Sequence, residues 1–229
     1  MKLFAISDLH LPAGENKPMD VFGAHWERHF ERISEDWLSR VSDEDIVLLP
    51  GDLSWAMQLS QARRDIESVG SLPGRKLIIR GNHDYWWSSI SRVREALPTS
   101  MYAIQNDAVK LDGITFCGTR GWILPGDGVQ EDDVRIFRRE LNRLELSLTR
   151  AKQLASGGSI VCLVHYPPLT DAVRDTEVTE LIERSGVKCV VYGHLHGGAL
   201  NGAFRGEHNG VSYHQVSCDG IHFKLEEIT

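Results

Sequence analysis

Five short apolar runs, each followed by a cluster of polar residues, are the feature that most restricts how this chain can fold. The runs are rich in β-branched residues and show no alternation, which is typical of strands covered on both faces. They lie at 2–7, 45–50, 76–80, 159–164 and 188–193, and the clusters after them are SDLH, GDLSW, GNHD, HYPP and GHLH. In an open α/β sheet the carboxyl ends of the strands meet at one edge. Polar residues from most of the chain are therefore predicted to converge there.

Between these strands, the spacing of apolar residues predicts amphipathic helices. One stripe recurs at i, i+4, i+3 and i+4 within 24–39, and it consists of Trp26, Phe30, Ile33 and Trp37. A second stripe runs across 131–154 and consists of Val134, Phe137, Leu141, Leu144 and Leu148. Strands alternating with helices indicate an α/β fold.

Two further segments have the pattern of short strands joined by turns. Residues 101–119 predict a hairpin around the LDG turn, and residues 211–228 predict two strands joined by a turn. We expect one domain over 1–229, with sheets of mixed strand direction flanked by helices. The strand order is left open by the sequence.

Composition and charge disfavour some classes of partner. The chain has 25 basic and 32 acidic residues, a net charge of −7, which argues against a broad nucleic-acid or anionic-membrane surface. No run approaches the ~18 apolar residues of a membrane span. The apolar run before Asp8 is too short for a signal peptide. The four cysteines are isolated within apolar runs, so buried, reduced thiols and a cytoplasmic location are expected.

The clusters at the strand ends supply a donor set suited to two divalent metal ions. The side chains are Asp8, His10, Asp52, Asn82, His165, His194 and His196, together with His83 and Asp84. Carboxylate, imidazole and amide donors without cysteine suit hard or borderline metals. Two metals roughly 3.5–4 Å apart can clamp the attacking and leaving oxygens of a displacement at phosphorus. Such a centre keeps a net positive charge on an acidic protein, and a phosphate group is its natural anion.

The pattern D-x-H … GD … GNHD … H … GHxH, in this order over residues 8–196, resembles that of the calcineurin-like metallophosphoesterases. The resemblance implies mixed β-sheets packed as a sandwich and flanked by helices. It also implies two divalent ions, with manganese, iron or zinc expected. One metal would be held by Asp8, His10 and His196, and the other by Asn82, His165 and His194. Asp52 would bridge the two.

The same resemblance implies the roles of the two remaining motif residues. His83 would protonate the leaving-group oxygen, since imidazole is the common general acid near neutral pH. Asp84 would accept a hydrogen bond from the far nitrogen of His83 and fix its tautomer. The nucleophile would be a metal-bridging hydroxide.

The expected substrate is a small phosphomonoester or phosphodiester, and four alternatives are weighed against it. A nuclease would need an extended basic groove, which the net charge disfavours. A non-catalytic scaffold of the same fold would not need the complete donor set and His83, and a nucleotide-binding sensor would not need His83. A phosphoprotein substrate is disfavoured because the sequence departs from the protein serine/threonine phosphatases: GDLSWAM lacks the arginine of their second motif, and GNHD replaces GNHE.

Several other side chains near the motifs have two interpretations. The aromatics Trp55, Tyr85, Trp86, Trp87 and Trp122 could stack on a base or an aryl group, but anchoring of their loops is the favoured interpretation. Arg120 could reach a substrate phosphate or be an ordinary surface residue. The other histidines are interpreted as solvated or ordinary polar positions; they are His25 and His29 on the predicted helix, and His208, His214 and His222 near the C-terminus.

Overall fold

The apolar runs form strands of two mixed sheets in the computed structural model, which describes residues 1–14, 19–126 and 128–228. The strands are β1 Leu3–Ala5, β2 Ile46–Leu49, β3 Arg75–Ile78, β4 Met101–Ala103, β5 Ala108–Leu111, β6 Ile114–Thr119, β7 Ile160–Val164, β8 Cys189–Tyr192, β9 Gly206–His208, β10 Val211–Gln215 and β11 Glu226–Ile228. The helices are α1 His29–Arg40, α2 Leu59–Gly70, α3 Ile90–Ala96, α4 Glu131–Ala155 and α5 Glu177–Arg184. All five predicted buried strands are confirmed.

Each sheet has a parallel centre and at least one antiparallel edge. The first sheet has the order β11-β1-β2-β3-β4, with β11 antiparallel to β1 and the other neighbours parallel. The second has the order β5-β6-β7-β8-β10-β9, with antiparallel strands at its two edges. The predicted mixed strand directions are therefore confirmed.

The central strands are covered on both faces, as their composition predicted. In β7, Cys162 and Val164 pack in the apolar cluster that includes α4 and α5 residues. Val161 and Leu163 point the other way, into a cluster with side chains of the first sheet such as Leu48. The two sheets thus form a sandwich with helices outside it, because each strand has an apolar face for its helices and another for the opposite sheet.

The hairpin predicted around the LDG turn is confirmed, whereas the two C-terminal strands do not pair with each other. Within 101–119, only β5 and β6 form a hairpin, while β4 pairs in parallel with β3 in the other sheet. The C-terminal strands β10 and β11 also belong to different sheets, and the hairpin of this region is β9 with β10. Strands this short obtain most of their stability from the neighbours that they meet in space, so sequence proximity did not identify the partner.

The helix at 131–154 is confirmed as α4, but the one at 24–39 begins later than predicted. Ala24–Trp26 is a 3₁₀ turn, and α1 starts at His29 after Arg28, whose φ of 52° breaks the helix. Trp26 still packs in the same cluster as Ile33. The four cysteines are buried and free, as predicted. Over the described ranges, no helix combines the length and apolarity needed to cross a membrane.

Candidate metal centre

The loops that follow the parallel strands are joined by hydrogen bonds into one edge of the molecule. The Asp8 amide donates to the Gly51 carbonyl at 3.0 Å, and the His10 amide donates to the Asp52 carbonyl at 3.0 Å. The Gly193 amide donates to the His165 carbonyl at 3.2 Å. These contacts connect the ends of β1, β2, β7 and β8. The strand ends thus converge as the sequence predicted.

Four of the candidate ligands have backbone conformations that L-residues rarely adopt. Their φ angles are 59° at Asp8, 46° at His10, 55° at Asp52 and 73° at His194. Left-handed conformations of residues other than glycine cost free energy and concentrate at functional sites. The turns after the strands therefore hold these side chains in directions that an ordinary loop would not favour.

Two glycines allow the backbone to approach the candidate ligands closely. A Cβ atom at Gly81 would collide with the Asp52 carboxylate, and one at Gly193 would collide with the carboxylate of Asp8. Each glycine directly precedes a candidate ligand. GNHD and GHLH therefore need glycine at these positions, because the neighbouring carboxylates leave no room for a Cβ atom.

The first group of donors contains Asp8, His10 and His196, as predicted. His10 Nε2 lies 3.4 Å from His196 Nε2, and His196 Nε2 lies 3.4 Å from Asp8 Oδ1. One donor atom from each of the three residues lies within 4.8 Å of the others. Asp8 and His10 are buried, while His196 is partly exposed. This group can hold one metal ion.

The second group contains Asn82, His165 and His194, again the three residues expected. The Asn82 Oδ1 atom lies 2.6 Å from His165 Nε2 and 2.9 Å from His194 Nδ1. The far nitrogen of His165, Nδ1, lies 2.9 Å from the carbonyl oxygen of Pro50, which leaves Nε2 directed at the group. Metal-ligating histidines typically have such a partner on their other ring nitrogen.

Asp52 lies between the two groups. Its Oδ2 atom is 3.4 Å from His165 Nε2 and 3.9 Å from His10 Nε2. Its Oδ1 atom accepts a hydrogen bond from the His83 amide at 2.8 Å. Asp52 also forms a compact donor group with Asp8 and His165. Asp52 thus lies within 4.0 Å of a histidine from each group.

The donor set fits divalent cations. Asp8 and Asp52 are two buried carboxylates in one small site, and such like charges repel each other unless cations offset them. The Nε2 atoms of His10 and His196 also face each other, so both imidazoles direct a donor nitrogen towards the same point. Carboxylate, imidazole and amide donors suit manganese, iron or zinc.

The histidine pKa values show how the carboxylates polarise this site. Burial lowers the pKa of His165, but the Asp52 and Asp8 carboxylates outweigh it and raise that pKa to about 9. Burial is likewise outweighed at His196, where hydrogen bonds to Asp219 and Asp8 raise the pKa to about 10. Without metal, both imidazoles carry protons at neutral pH. Metal binding must therefore displace protons from this site.

Asp84 does not orient His83, which corrects the role expected from the sequence. The Asp84 carboxylate is fully buried and accepts five hydrogen bonds, from the backbone N–H groups of Asp52, Leu53, Ser54 and Gly81 and from Trp86 Nε1, at 2.8–3.2 Å. Burial and the charge of Asp52 raise its pKa to about 6, which still leaves the group ionised at neutral pH. Asp84 thus fastens the GDLSW loop to the GNHD loop.

The His83 ring packs among other aromatic rings, and its backbone N–H donates to Asp52. Its ring centroid lies 4.5 Å from that of Trp55, 5.6 Å from that of His10 and 6.2 Å from that of Tyr85. Its Nδ1 atom is buried and has no hydrogen-bond partner among the described residues. The ring therefore lies beside the first donor group.

The sequence prediction missed the outer partners of the ligands. Asp219 accepts from the Gly197 amide at 3.0 Å, and its other oxygen lies 2.8 Å from His196 Nδ1. The Ser7 and Ser217 hydroxyls donate to Asp8 Oδ2 at 2.5 and 2.9 Å. Ser217 and Asp219 lie in the SCDG segment, where no strand-end pattern marks them. They reach the site because β10 runs parallel to β8 and ends at the same edge.

Replacing Asp219 by asparagine should weaken metal binding at the first donor group by about 10- to 100-fold, the usual effect of losing a carboxylate partner of a ligating histidine. Metal dissociation constants, measured in competition with a chromophoric chelator, test this. Asp175→Asn is the matched control, because Asp175 contacts the imidazole of His208 at 2.9 Å outside the donor groups. Equal affinities for the two variants would show that Asp219 does not position His196.

The aromatic side chains near the motifs divide between the two interpretations. Trp86 and Trp87 are buried at 1% and 4% exposure, which supports loop anchoring. Trp122 is half-buried and donates to a carboxylate of α4. Tyr85 is 51% exposed. Trp55 instead stacks on the ring of His10, with centroids 4.7 Å apart and an interplanar angle of 19°.

Two further side chains have protein partners that the sequence did not indicate, namely His29 and Arg120. His29 is half-buried with Nε2 2.8 Å from the Leu9 carbonyl oxygen, so it does not lie on a solvated helix face. Arg120 forms an ion pair with buried Glu140 at 3.4 Å and lies over the ring of Trp122. The other four histidines are His25, His208, His214 and His222, and they are outside the two donor groups.

Comparisons with known proteins concern the family and the fold. A family model described as calcineurin-like phosphoesterase matches residues 1–198. A solved structure of a protein of unknown function from Aquifex aeolicus is similar, with a TM-score of 0.51 and 14% sequence identity. The similarity covers 99% of this chain and 95% of the other, and it concerns the fold alone. No curated protein matches the chain.

Proposed function

The chain belongs to the calcineurin-like phosphoesterase family, and we propose that it hydrolyses small phosphate esters with two divalent metal ions. The observation that supports this proposal is the convergence of seven donor residues into two adjoining groups, with Asp52 close to a histidine of each. A scaffold that only binds other proteins has no need of this buried donor set. A small ester is favoured over a nucleic acid because the chain carries a net charge of −7.

The residues of the chain would divide the reaction between them. The first group, Asp8, His10 and His196, would hold one metal, the second group would hold the other, and Asp52 would serve both. When bound, the metals supply Lewis acidity at the phosphoryl oxygens and activate a water molecule. Phosphate binding is favoured because two dications exceed the charge of the two carboxylates in the site.

We assign His83 as the acid that protonates the leaving-group oxygen. Its ring lies beside the first donor group, and its backbone N–H is fixed by the shared carboxylate of Asp52 at 2.8 Å. An imidazole in this place can give a proton to the departing alkoxide and recover it from water. General acid catalysis of this kind contributes about 10²- to 10⁴-fold.

The simplest test uses two nitrophenyl esters. Purified protein loaded with manganese should hydrolyse p-nitrophenyl phosphate, bis-p-nitrophenyl phosphate or both, and a chelator should abolish the activity. Elemental analysis of the same sample gives the metal content. Inactivity towards both esters with two bound metals would contradict the proposed hydrolase and favour a scaffold.

Replacing His83 by alanine should affect poor leaving groups much more than good ones. Nitrophenolate departs without a proton, whereas an alkoxide needs one, so we expect a loss of about 10²-fold or more for an alkyl phosphate and a much smaller loss for p-nitrophenyl phosphate. Metal content should stay at the wild-type value. Equal losses for the two esters, or loss of metal, would exclude His83 as the acid.

A further inference from the structure

A cavity of about 340 Å³ adjoins the first donor group. The apolar part of its lining consists of Met19, Phe22, Trp26 and Trp55. We refer to the whole cavity as the aromatic pocket. On one side the cavity is bounded by His10, His83 and His196. The aromatic pocket and the metal centre therefore share one wall.

The two tryptophans of the aromatic pocket are fixed against this wall. The Trp55 ring is stacked on that of His10 at 4.7 Å and lies 4.5 Å from that of His83. The Trp26 ring lies 5.7 Å from that of His196 and packs edge-on against Phe223 at 5.2 Å. Trp26 is buried at 4% exposure and supports the wall, whereas Trp55 is partly exposed and offers a preorganised surface to a ligand.

We propose that the aromatic pocket binds a planar aromatic group on the leaving-group side of the phosphate ester. This inference rests on the proposed function, because the role of His83 as the acid decides which part of the ester faces the aromatic pocket. His83 lines the aromatic pocket, and the acid must lie at the leaving-group oxygen. The alcohol portion of the ester would then be directed into the aromatic pocket, and the phosphate would lie at the two donor groups.

The lining favours a flat ring over a polar or charged group. Stacking on an indole stabilises an aromatic ring of any kind, because every such ring has a π face. A polyhydroxylated or charged group would find few partners for its polar atoms, since the Asp219 carboxylate is already engaged by His196 and Gly197, and the other polar side chain of the lining outside the shared wall is the imidazole of His25.

Phe22 gives this inference a second support. Its side chain is 63% exposed although it lines the aromatic pocket, and Val21 beside it is 73% exposed. Exposed apolar surface next to a concave site often marks a place where a ligand is covered. A ring in the aromatic pocket would remove part of the Phe22 side chain from water.

Three alkyl phosphates test the shape requirement. Benzyl, cyclohexylmethyl and ethyl phosphate release alcohols of similar basicity, so differences in kcat/KM report binding of the organic group. We expect benzyl phosphate to exceed ethyl phosphate by about tenfold or more, and cyclohexylmethyl phosphate by a few-fold. Comparable values for benzyl and cyclohexylmethyl phosphate, or for benzyl and ethyl phosphate, would overturn the inference.

A second pair of substrates identifies the source of the ring. Adenosine 5′-monophosphate and ribose 5-phosphate differ by a nucleobase at the far end of the same sugar phosphate. A preference for the nucleotide at least as large as that for benzyl over ethyl phosphate assigns the aromatic pocket to a nucleobase. A preference seen only in the benzyl series assigns it to a simple aryl group.

Phe22→Ala tests the aromatic pocket itself, with Val21→Ala as the matched control in the same 3₁₀ turn, Met19–Phe22. Phe22→Ala should lower the benzyl-to-ethyl ratio by about three- to tenfold, the range for loss of one aromatic contact. Val21→Ala should keep the wild-type ratio, because Val21 does not line the cavity. An unchanged ratio in Phe22→Ala would contradict the inference.

Binding of phosphonates, which cannot be hydrolysed, separates this inference from the proposed function. Dissociation constants of benzylphosphonate and ethylphosphonate for the metal-loaded protein can be measured by calorimetry. Tighter binding of benzylphosphonate that is weakened in Phe22→Ala, without hydrolysis of any ester, would support the aromatic pocket and contradict the proposed hydrolase. Hydrolysis without a preference for aromatic ligands would support the hydrolase and contradict the aromatic pocket.

Discussion

Replacing Asp52 by asparagine should deplete both metal sites and lower ester hydrolysis by about a thousandfold or more. Oδ2 of Asp52 lies 3.4 Å from His165 Nε2 in the second group and 3.9 Å from His10 Nε2 in the first. The amide keeps the shape but removes the charge that both cations would share. Since the metals supply several kcal/mol of transition-state stabilisation, and each 1.36 kcal/mol is a factor of ten in rate, the loss should be large. Metal content per chain and kcat/KM measure it.

Asp45→Asn is the matched control, because Asp45 is a buried carboxylate beside the opposite end of β2. It accepts hydrogen bonds from the Lys2 and Ser42 amides at 2.6 and 2.9 Å, and it does not belong to the donor groups. This variant should lose stability but keep its metal. Two metals per chain in Asp52→Asn would show that Asp52 does not bridge the sites.

The fold could be predicted where local pattern and burial coincide. The central strands are apolar on both faces, so their composition alone identified them, and the polar residues after them marked the shared edge. The partners of β4 and β11 could not be found in this way. Each has three residues, and its sheet is decided by contacts with β3 or β1, which lie elsewhere in the sequence.

The candidate site shows the same limit at the level of single side chains. The seven donors could be identified because each follows a strand. Asp84 was assigned to His83 because the two are adjacent in sequence, yet their side chains leave the turn in different directions. Asp219 carries no recognisable motif, and only the parallel pairing of β10 with β8 brings it to His196. Sequence patterns therefore indicated which donor residues converge, but they did not indicate which neighbouring groups support those donors.

The correction at Asp84 changes what its substitution should do. If Asp84 oriented His83, its loss would slow the release of poor leaving groups and leave stability unchanged. In the structure the carboxylate instead satisfies five N–H donors, four of them from the backbone of the two loops that carry Asp52 and Asn82. An asparagine amide can accept at one oxygen only, and its NH₂ group would face N–H donors.

Asp84→Asn should therefore lower the free energy of unfolding by about 3–5 kcal/mol, because buried donors lose a charged acceptor. The melting temperature should fall by roughly 10 °C for a chain of this size. Urea unfolding of metal-free protein measures the effect without the contribution of bound metal. Asp171→Asn makes the same chemical change at an exposed position and should alter stability by no more than about 0.5 kcal/mol. Full stability in Asp84→Asn, with a loss confined to alkyl esters, would restore the orienting role, since only a contact with His83 links this carboxylate to the leaving group.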